Sequence, residues 1–144
     1  MSNNELYEEI MPNNELYGEL MMEHVHDPYH LITMPDRYKT FESGRLRSYW
    51  RGGNCGDNLR LELEMRDRQI VQAFFEQDGC AVTRAASSIL MQNIEGLSVE
   101  EALKFSCGNM LEVFSDVPFS RRGCLFMPVS VLHDLLHDFL HLAA

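Results

Sequence analysis

Leu59, Leu61, Leu63 and Met65 alternate with Arg60, Glu62 and Glu64, and no other pattern narrows the fold of this chain as far. Successive side chains of a β-strand point to opposite faces, so the alternation describes a strand with one buried face. Arg66-Asp67-Arg68 then turns the chain into residues 70–76, which read as another strand, and residues 45–51 read as a strand ahead of both. Connections this short favour antiparallel neighbours, because parallel pairing needs a crossover of a dozen or more residues.

Helical patterns flank this meander. Within residues 15–26, Leu16, Leu20, Met21 and Val25 recur at helical spacing, with Asn13 or Asn14 as N-cap and Asp27-Pro28 as the stop. A polar loop to about residue 43 follows. Residues 81–94 are rich in Ala, Leu and Met, and Gly96 suits the end of that helix. Ser98 and Glu101 form a capping box that opens a helix through residue 105. Residues 124–142 read as a last helix, with Pro128 in its first turn or at a kink. The order gives an α+β fold, a three-stranded antiparallel sheet with helices packed mainly on one face. At 144 residues the chain is the size of one domain. We expect a flexible extension over residues 1–14 and a single domain over 15–144. Asn3-Asn4-Glu5-Leu6-Tyr7 returns as Asn13-Asn14-Glu15-Leu16-Tyr17, an offset of ten residues. On a helix such copies lie about 80° apart, so they form no continuous stripe; an alternative is that they compete for one docking site.

Composition excludes several functions. With 45 % hydrophobic and 24 % charged residues the balance is that of a globular protein. No apolar run approaches the roughly 20 residues of a membrane span, and the acidic N-terminus lacks the order of a signal peptide. A cytoplasmic setting with no membrane partner is therefore expected. The net charge of −10 argues against nucleic acid. It fits docking to a basic partner surface, or solubility alone. No G-x-S-x-G, H-E-x-x-H or P-loop lysine is present.

Four cysteines without a C-x-x-C pair point to metal or thiol chemistry rather than disulfides in that setting. Cys55 lies in the turn Gly52-Gly53-Asn54-Cys55-Gly56-Asp57, where the glycines let Cys55 and Asp57 face one ion. Cys80 follows Gly79 at a strand-to-helix junction, and Cys124 opens the last helix just after Arg121 and Arg122. A helix start favours thiolate over thiol. Three thiolates and one carboxylate suit tetrahedral Zn²⁺, or an iron–sulfur cluster held less firmly than by four cysteines. The competing reading is that these are core thiols, which is preferred for Cys107. His133, His137 and His141 fall four apart on the last helix; that spacing can bind zinc, but a solvated face is the commoner outcome. His24, His26 and His30 cluster near the end of the first helix, where a protonated imidazole suits the dipole.

The residues around the cysteines carry a resemblance. Asn54-Cys55-Gly56-Asp57, followed by Gly79-Cys80-Ala81-Val82-Thr83-Arg84-Ala85-Ala86-Ser87-Ser88, resembles the paired signature of the NifU/IscU/SufU family. Leu16-Tyr17-Gly18-Glu19 through Asp27-Pro28 is similar to its opening helix, and Gly96 with Ser98-Val99-Glu100-Glu101-Ala102-Leu103 to its G-x-[ST]-x-E-E-A-L segment. Arg121 before Cys124 matches the arginine ahead of the third family cysteine. The resemblance implies an iron–sulfur cluster assembly scaffold that takes sulfur from a cysteine desulfurase and passes a cluster, 2Fe-2S by expectation, to apo iron–sulfur proteins. It implies Cys55, Cys80 and Cys124 as thiolate ligands and Asp57 as the carboxylate that tunes release. The alternatives are a zinc-dependent sulfurtransferase, with Cys55 or Cys124 as persulfide acceptor, and a structural-zinc interaction domain. Gly123 stands where IscU-type members carry His and SufU-type members Lys, and Val117-Pro118-Phe119-Ser120-Arg121-Arg122 replaces the Leu-Pro-Pro-Val-Lys segment. The insertion that SufU-type members carry before the third cysteine is also missing. The subtype, like the oligomeric state, stays open at this level.

Overall fold

The alternating leucines lie on β2 (Asp57–Arg66), the middle strand of an antiparallel sheet in the computed structural model, which describes residues 18–31, 45–52 and 57–143. At residues 45–52, 57, 142 and 143 the description is of the main chain. β1 (Arg45–Gly52) pairs along one edge of β2 and β3 (Gln69–Asp78) along the other. Leu59, Leu61 and Leu63 are fully buried, as the alternation requires, but the other face is covered too: Glu62 is fully buried, with the Arg60 guanidinium 3.5 Å away.

Two features of the hairpin between β2 and β3 are absent from the local pattern. Asp67 and Arg68 both take positive φ, 52° and 67°, the backbone of a type I′ turn. Arginine has no preference for that region, but its carbonyl accepts the Val99 N–H at 2.9 Å and its guanidinium pairs with Glu100. The register then slips between Glu64 and Met65, because Met65 pairs with Ile70 while Glu64 pairs with Gln72. Val71 is the extra residue of this bulge. It is 39 % exposed, whereas Ile70 and Ala73, three apart, are both buried.

Helix α1 (Glu19–His26) precedes the sheet, and α2 (Ala81–Ile94) follows it with the bounds expected from sequence. Next come α3 (Val99–Leu103), α4 (Cys107–Val113), a 3₁₀ turn at Phe119–Arg121 and α5 (Arg122–Ala143). The fold is α+β. α2 packs on α1, β3 and α5, and α5 also lies against β1 and β2. Every residue of α2 except Arg84, Gln92 and Asn93 is buried. Its small residues, Ala81, Ala85, Ala86, Ser87 and Ser88, let those neighbours close in. Gly96, at φ +85°, reverses the chain after this helix, and its N–H reaches the Ile70 carbonyl at 2.7 Å. Among the described residues, no helix is long and apolar enough to cross a membrane.

Several expectations are corrected. α1 begins at Glu19 rather than residue 15, after Gly18 at φ +80°, a conformation that a helix does not contain. The proposed caps Asn13 and Asn14, Leu16, and the extension over 1–14 lie outside the described residues. Leu20 is 42 % exposed, and Met22 takes the core position beside Met21 and Val25. The capping box of Ser98 and Glu101 forms, but its helix ends at Leu103. A second box, Ser106 with Asn109, opens α4, which the sequence reading missed although the serine was a visible cue. α5 starts two residues early, which puts Pro128 in its second turn and not its first.

Replacing Ser98 by alanine removes the acceptor for the Glu101 N–H at 3.1 Å. Urea unfolding of Ser98→Ala is expected to show a loss of about 1 kcal/mol with an unchanged denaturant slope. An unchanged midpoint would mean that burial of Val99 and Ala102 holds α3 without its cap.

Candidate metal centre

β3 ends at Asp78, and Gly79, at φ +141°, redirects the chain so that Cys80 becomes the N-cap residue of α2. The Gln77 side chain fixes this junction by donating to the Cys80 carbonyl at 2.9 Å. Cys124 is the third residue of α5 and is buried, while Cys80 is half-buried. Both cysteines therefore stand at helix starts, as the sequence implied.

One hydroxyl brings the two starts together. Thr83 Oγ1, in the first turn of α2, donates to the Cys124 carbonyl at 3.1 Å and lies 4.0 Å from Cys80 Sγ. Pro128 explains why that carbonyl is approached from outside its helix. In an α-helix the Cys124 carbonyl bonds to the N–H four residues on, and proline has none. The sequence reading put Pro128 in the first turn or at a kink and gave Thr83 no role of its own within the motif.

The register supplies the rest of the geometry. Gly52 pairs with Asp57, and Asn58 pairs with Asp78. The end of β1, the start of β2 and the end of β3 thus share the sheet edge from which Cys80 emerges. Cys55 lies outside the described residues, and Asp57 is placed by its main chain as the first residue of β2. Among the described residues no three His, Cys, Asp or Glu side chains converge as a metal site. Cys107 is half-buried rather than a full core residue, and it belongs elsewhere: burial pushes its thiol pKa up, against smaller opposing effects of its own N–H and of Ser130. Ahead of Cys124, Phe119 is 83 % exposed and carries the Arg122 guanidinium 5.5 Å from its ring centre.

The histidines divide differently from expectation. His133 is half-buried; its Nε2 bonds to the Phe105 carbonyl at 2.7 Å and joins α5 to the connection between α3 and α4. His137 and His141 are exposed. His24 is tied to α2. Its Nδ1 lies 2.6 Å from Ser88 Oγ, which also accepts the Tyr29 N–H at 2.7 Å. Burial lowers its pKa from the ordinary 6.5, outweighing Glu23 and Asp27, and an unprotonated Nδ1 can take the serine proton.

The family described as the NifU-like N terminal domain matches residues 16–143 of this chain. The iron-sulfur cluster assembly scaffold protein IscU 1 of Archaeoglobus fulgidus is 27 % identical over 85 residues, 59 % of this chain and 56 % of that protein. The zinc-dependent sulfurtransferase SufU of Bacillus subtilis (strain 168) is 35 % identical over 63 residues, 44 % of this chain and 40 % of that one. The chain spans about half or less of the length of the curated relatives it matches, from 25 % to 56 %. In three dimensions it resembles the N-terminal part of a nitrogen-fixing NifU-like protein from Brucella abortus, with a TM-score of 0.67. That likeness covers 89 % of this chain and 96 % of the other at 16 % identity, and it is one of fold.

His24 sets a pH dependence with a definite sign. Its folded pKa lies below its ordinary 6.5, so the unfolded chain binds a proton that the folded one refuses. Stability from this site is complete above 6.5 and is lost as pH falls through the lowered value. Thermal melts from about pH 8 to about pH 5 are expected to fall less steeply for His24→Gln than for the unaltered chain. Parallel curves would assign the acid sensitivity to other groups.

Proposed function

This chain belongs to the family of NifU-like N-terminal domains, and from that premise we propose that it is an iron–sulfur cluster assembly scaffold. Iron and desulfurase-derived sulfur are its substrates, and a labile cluster is the cargo it passes to apo iron–sulfur proteins. The observation that carries the reading is the meeting of Cys80 and Cys124 through Thr83. The strand register supports extending the site to Cys55 and Asp57, since Cys55 lies in the four-residue connection between the paired Gly52 and Asp57. The match over residues 16–143 supports a single working unit over 15–144, with 1–14 as an extension.

In this reading Cys55, Cys80 and Cys124 bind as thiolates and Asp57 as a carboxylate. The first-turn N–H groups of α2 and α5 favour the charged sulfurs of Cys80 and Cys124. Four protein ligands suit a 2Fe-2S cluster. The carboxylate is a harder and more exchangeable ligand than sulfur, so it is the natural point of release. A cysteine desulfurase is the proposed sulfur donor and the cytoplasm the proposed setting.

A second reading is a zinc-dependent sulfurtransferase on the same ligands. The likeness to the Bacillus SufU favours it, and so does Gly123, which leaves Cys124 without an adjacent imidazole. A Cβ added at Gly123 would meet nothing within 4 Å, so crowding does not dictate the glycine. In that reaction a thiolate, Cys55 or Cys124, attacks the outer sulfur of the donor's persulfide. The donor's S–S bond breaks, its cysteine leaves as thiolate, and the acceptor becomes the persulfide.

Iron and acid-labile sulfide in protein purified anaerobically, both lost in a Cys55/Cys80/Cys124 triple serine variant, are the expected result. Zinc without sulfide, lost in the same variant, would favour sulfur transfer; metal unchanged in the variant would remove the cysteines from the site. Asp57→Ala is expected to lengthen the lifetime of the bound cluster in the presence of an apo-protein acceptor. Faster loss would contradict a releasing role.

A further inference from the structure

Thr83 is fully buried, and its hydroxyl reaches beyond its own helix. In a helix threonine divides between two rotamers, one of which turns Oγ1 back to a carbonyl three or four residues earlier. Here the oxygen crosses to the Cys124 carbonyl, 41 positions away in sequence, while lying 4.0 Å from Cys80 Sγ. A hydroxyl donates one hydrogen at a time. The shorter contact to the carbonyl holds it, and the same rotor faces the sulfur.

We propose that Thr83 is a positioning residue of the cysteine site, its hydroxyl coupling the helix start that carries Cys80 to the helix turn that carries Cys124. The inference rests on the reading of Cys80 and Cys124 as metal ligands. It adds that their relation is set by a side chain that binds no metal itself. Tetrahedral ligation demands sulfurs at about 2.3 Å from one ion, so a site whose ligands come from two helices needs those helices held in one arrangement. Cys124 takes its place from α5 and Cys80 from α2, and the threonine oxygen touches both residues. Groups that orient ligands in this way typically account for about 10–100-fold in metal affinity.

Three forms of the full chain test this: unaltered, Thr83→Val, which keeps the shape and loses the hydroxyl, and Thr83→Ser, which keeps the hydroxyl. The first readout uses metal-free protein. Dibromobimane fluoresces when it bridges two thiols, and its bridging of Cys80 to Cys124 is mapped by peptide mass. Thr83→Val is expected to bridge more slowly, with Thr83→Ser restoring the rate. The second readout is Co²⁺ affinity from the thiolate-to-cobalt charge-transfer band, expected to fall about 10–100-fold in the valine form and to recover in the serine form. Should Thr83→Val fail to fold, Thr83→Ala replaces it as the form without a hydroxyl. Equal bridging and equal Co²⁺ affinity across the forms overturn the positioning role and leave the ligands in place. Co²⁺ binding that survives serine at both Cys80 and Cys124 overturns the ligand reading instead. The metal-free bridging rates then still decide whether Thr83 couples the two helices.

Discussion

The arrangement depends on burying one helix of small residues. α2 runs between the sheet, α1 and α5, and a residue much larger than Ala85, Ala86 or Ser88 would force its neighbours apart. Polar ties fix its position at intervals. Ser88 Oγ takes the Tyr29 N–H and meets His24, while Arg84 Nε donates to the Val25 carbonyl at 3.0 Å, so α1 is held along its C-terminal half. Beyond the C-terminal end, the Glu95 carboxylate accepts the Ala73 N–H at 2.8 Å, the Tyr29 hydroxyl and His30 Nδ1. That convergence accounts for His30 at φ 55°, a conformation histidine seldom adopts, with its carbonyl taking the Phe75 N–H. A helix tied at both ends cannot slide, so Cys80 at its start has a fixed place above the sheet edge.

Rigidity there and exchange elsewhere are different requirements, and the chain assigns them to different elements. The two sulfurs of α2 and α5 are carried by helices within one apolar core. Of the other proposed donors, Cys55 belongs to the β1–β2 connection by sequence and Asp57 is the first residue of β2. A cargo site needs ligands that keep their geometry when empty and at least one that lets go, and the proposed set of helix-borne thiolates with one carboxylate would meet both needs.

The sequence carried local periodicities well. The alternation of Leu59 to Met65, the span of α2, the capping box at Ser98 and the helix-start positions of Cys80 and Cys124 all follow from residues within a turn or a strand of one another. What it hid depends on partners far along the chain. His24 meets Ser88 at a separation of 64 residues, His133 meets Phe105 at 28, and Thr83 meets Cys124 at 41. No window of helical or strand length contains both members of such a pair. The bulge at Val71 is hidden for another reason, since Ile70, Val71 and Ala73 fit the alternation with either face inward and only the pairing with β2 decides. Gly18 was available as a helix boundary, but the apolar spacing on both sides of it read as continuous.

Pro128 shows how a broken local rule can mark a site. Proline inside a helix is disfavoured by about 3 kcal/mol relative to alanine, and natural sequences depart from local preference chiefly where function or packing requires it. In α5 the departure falls four residues after Cys124, on the one residue whose N–H would ordinarily serve the Cys124 carbonyl. Losing that donor opens the carbonyl to approach from α2, and the donor that arrives, Thr83, is the residue whose hydroxyl also faces Cys80. An alanine at 128 would strengthen α5 as an isolated helix and give the carbonyl a donor within it. The link between the two cysteine-bearing helices would then compete with an intrahelical bond. The proline thus removes one intrahelical competitor for the carbonyl that Thr83 reaches from α2.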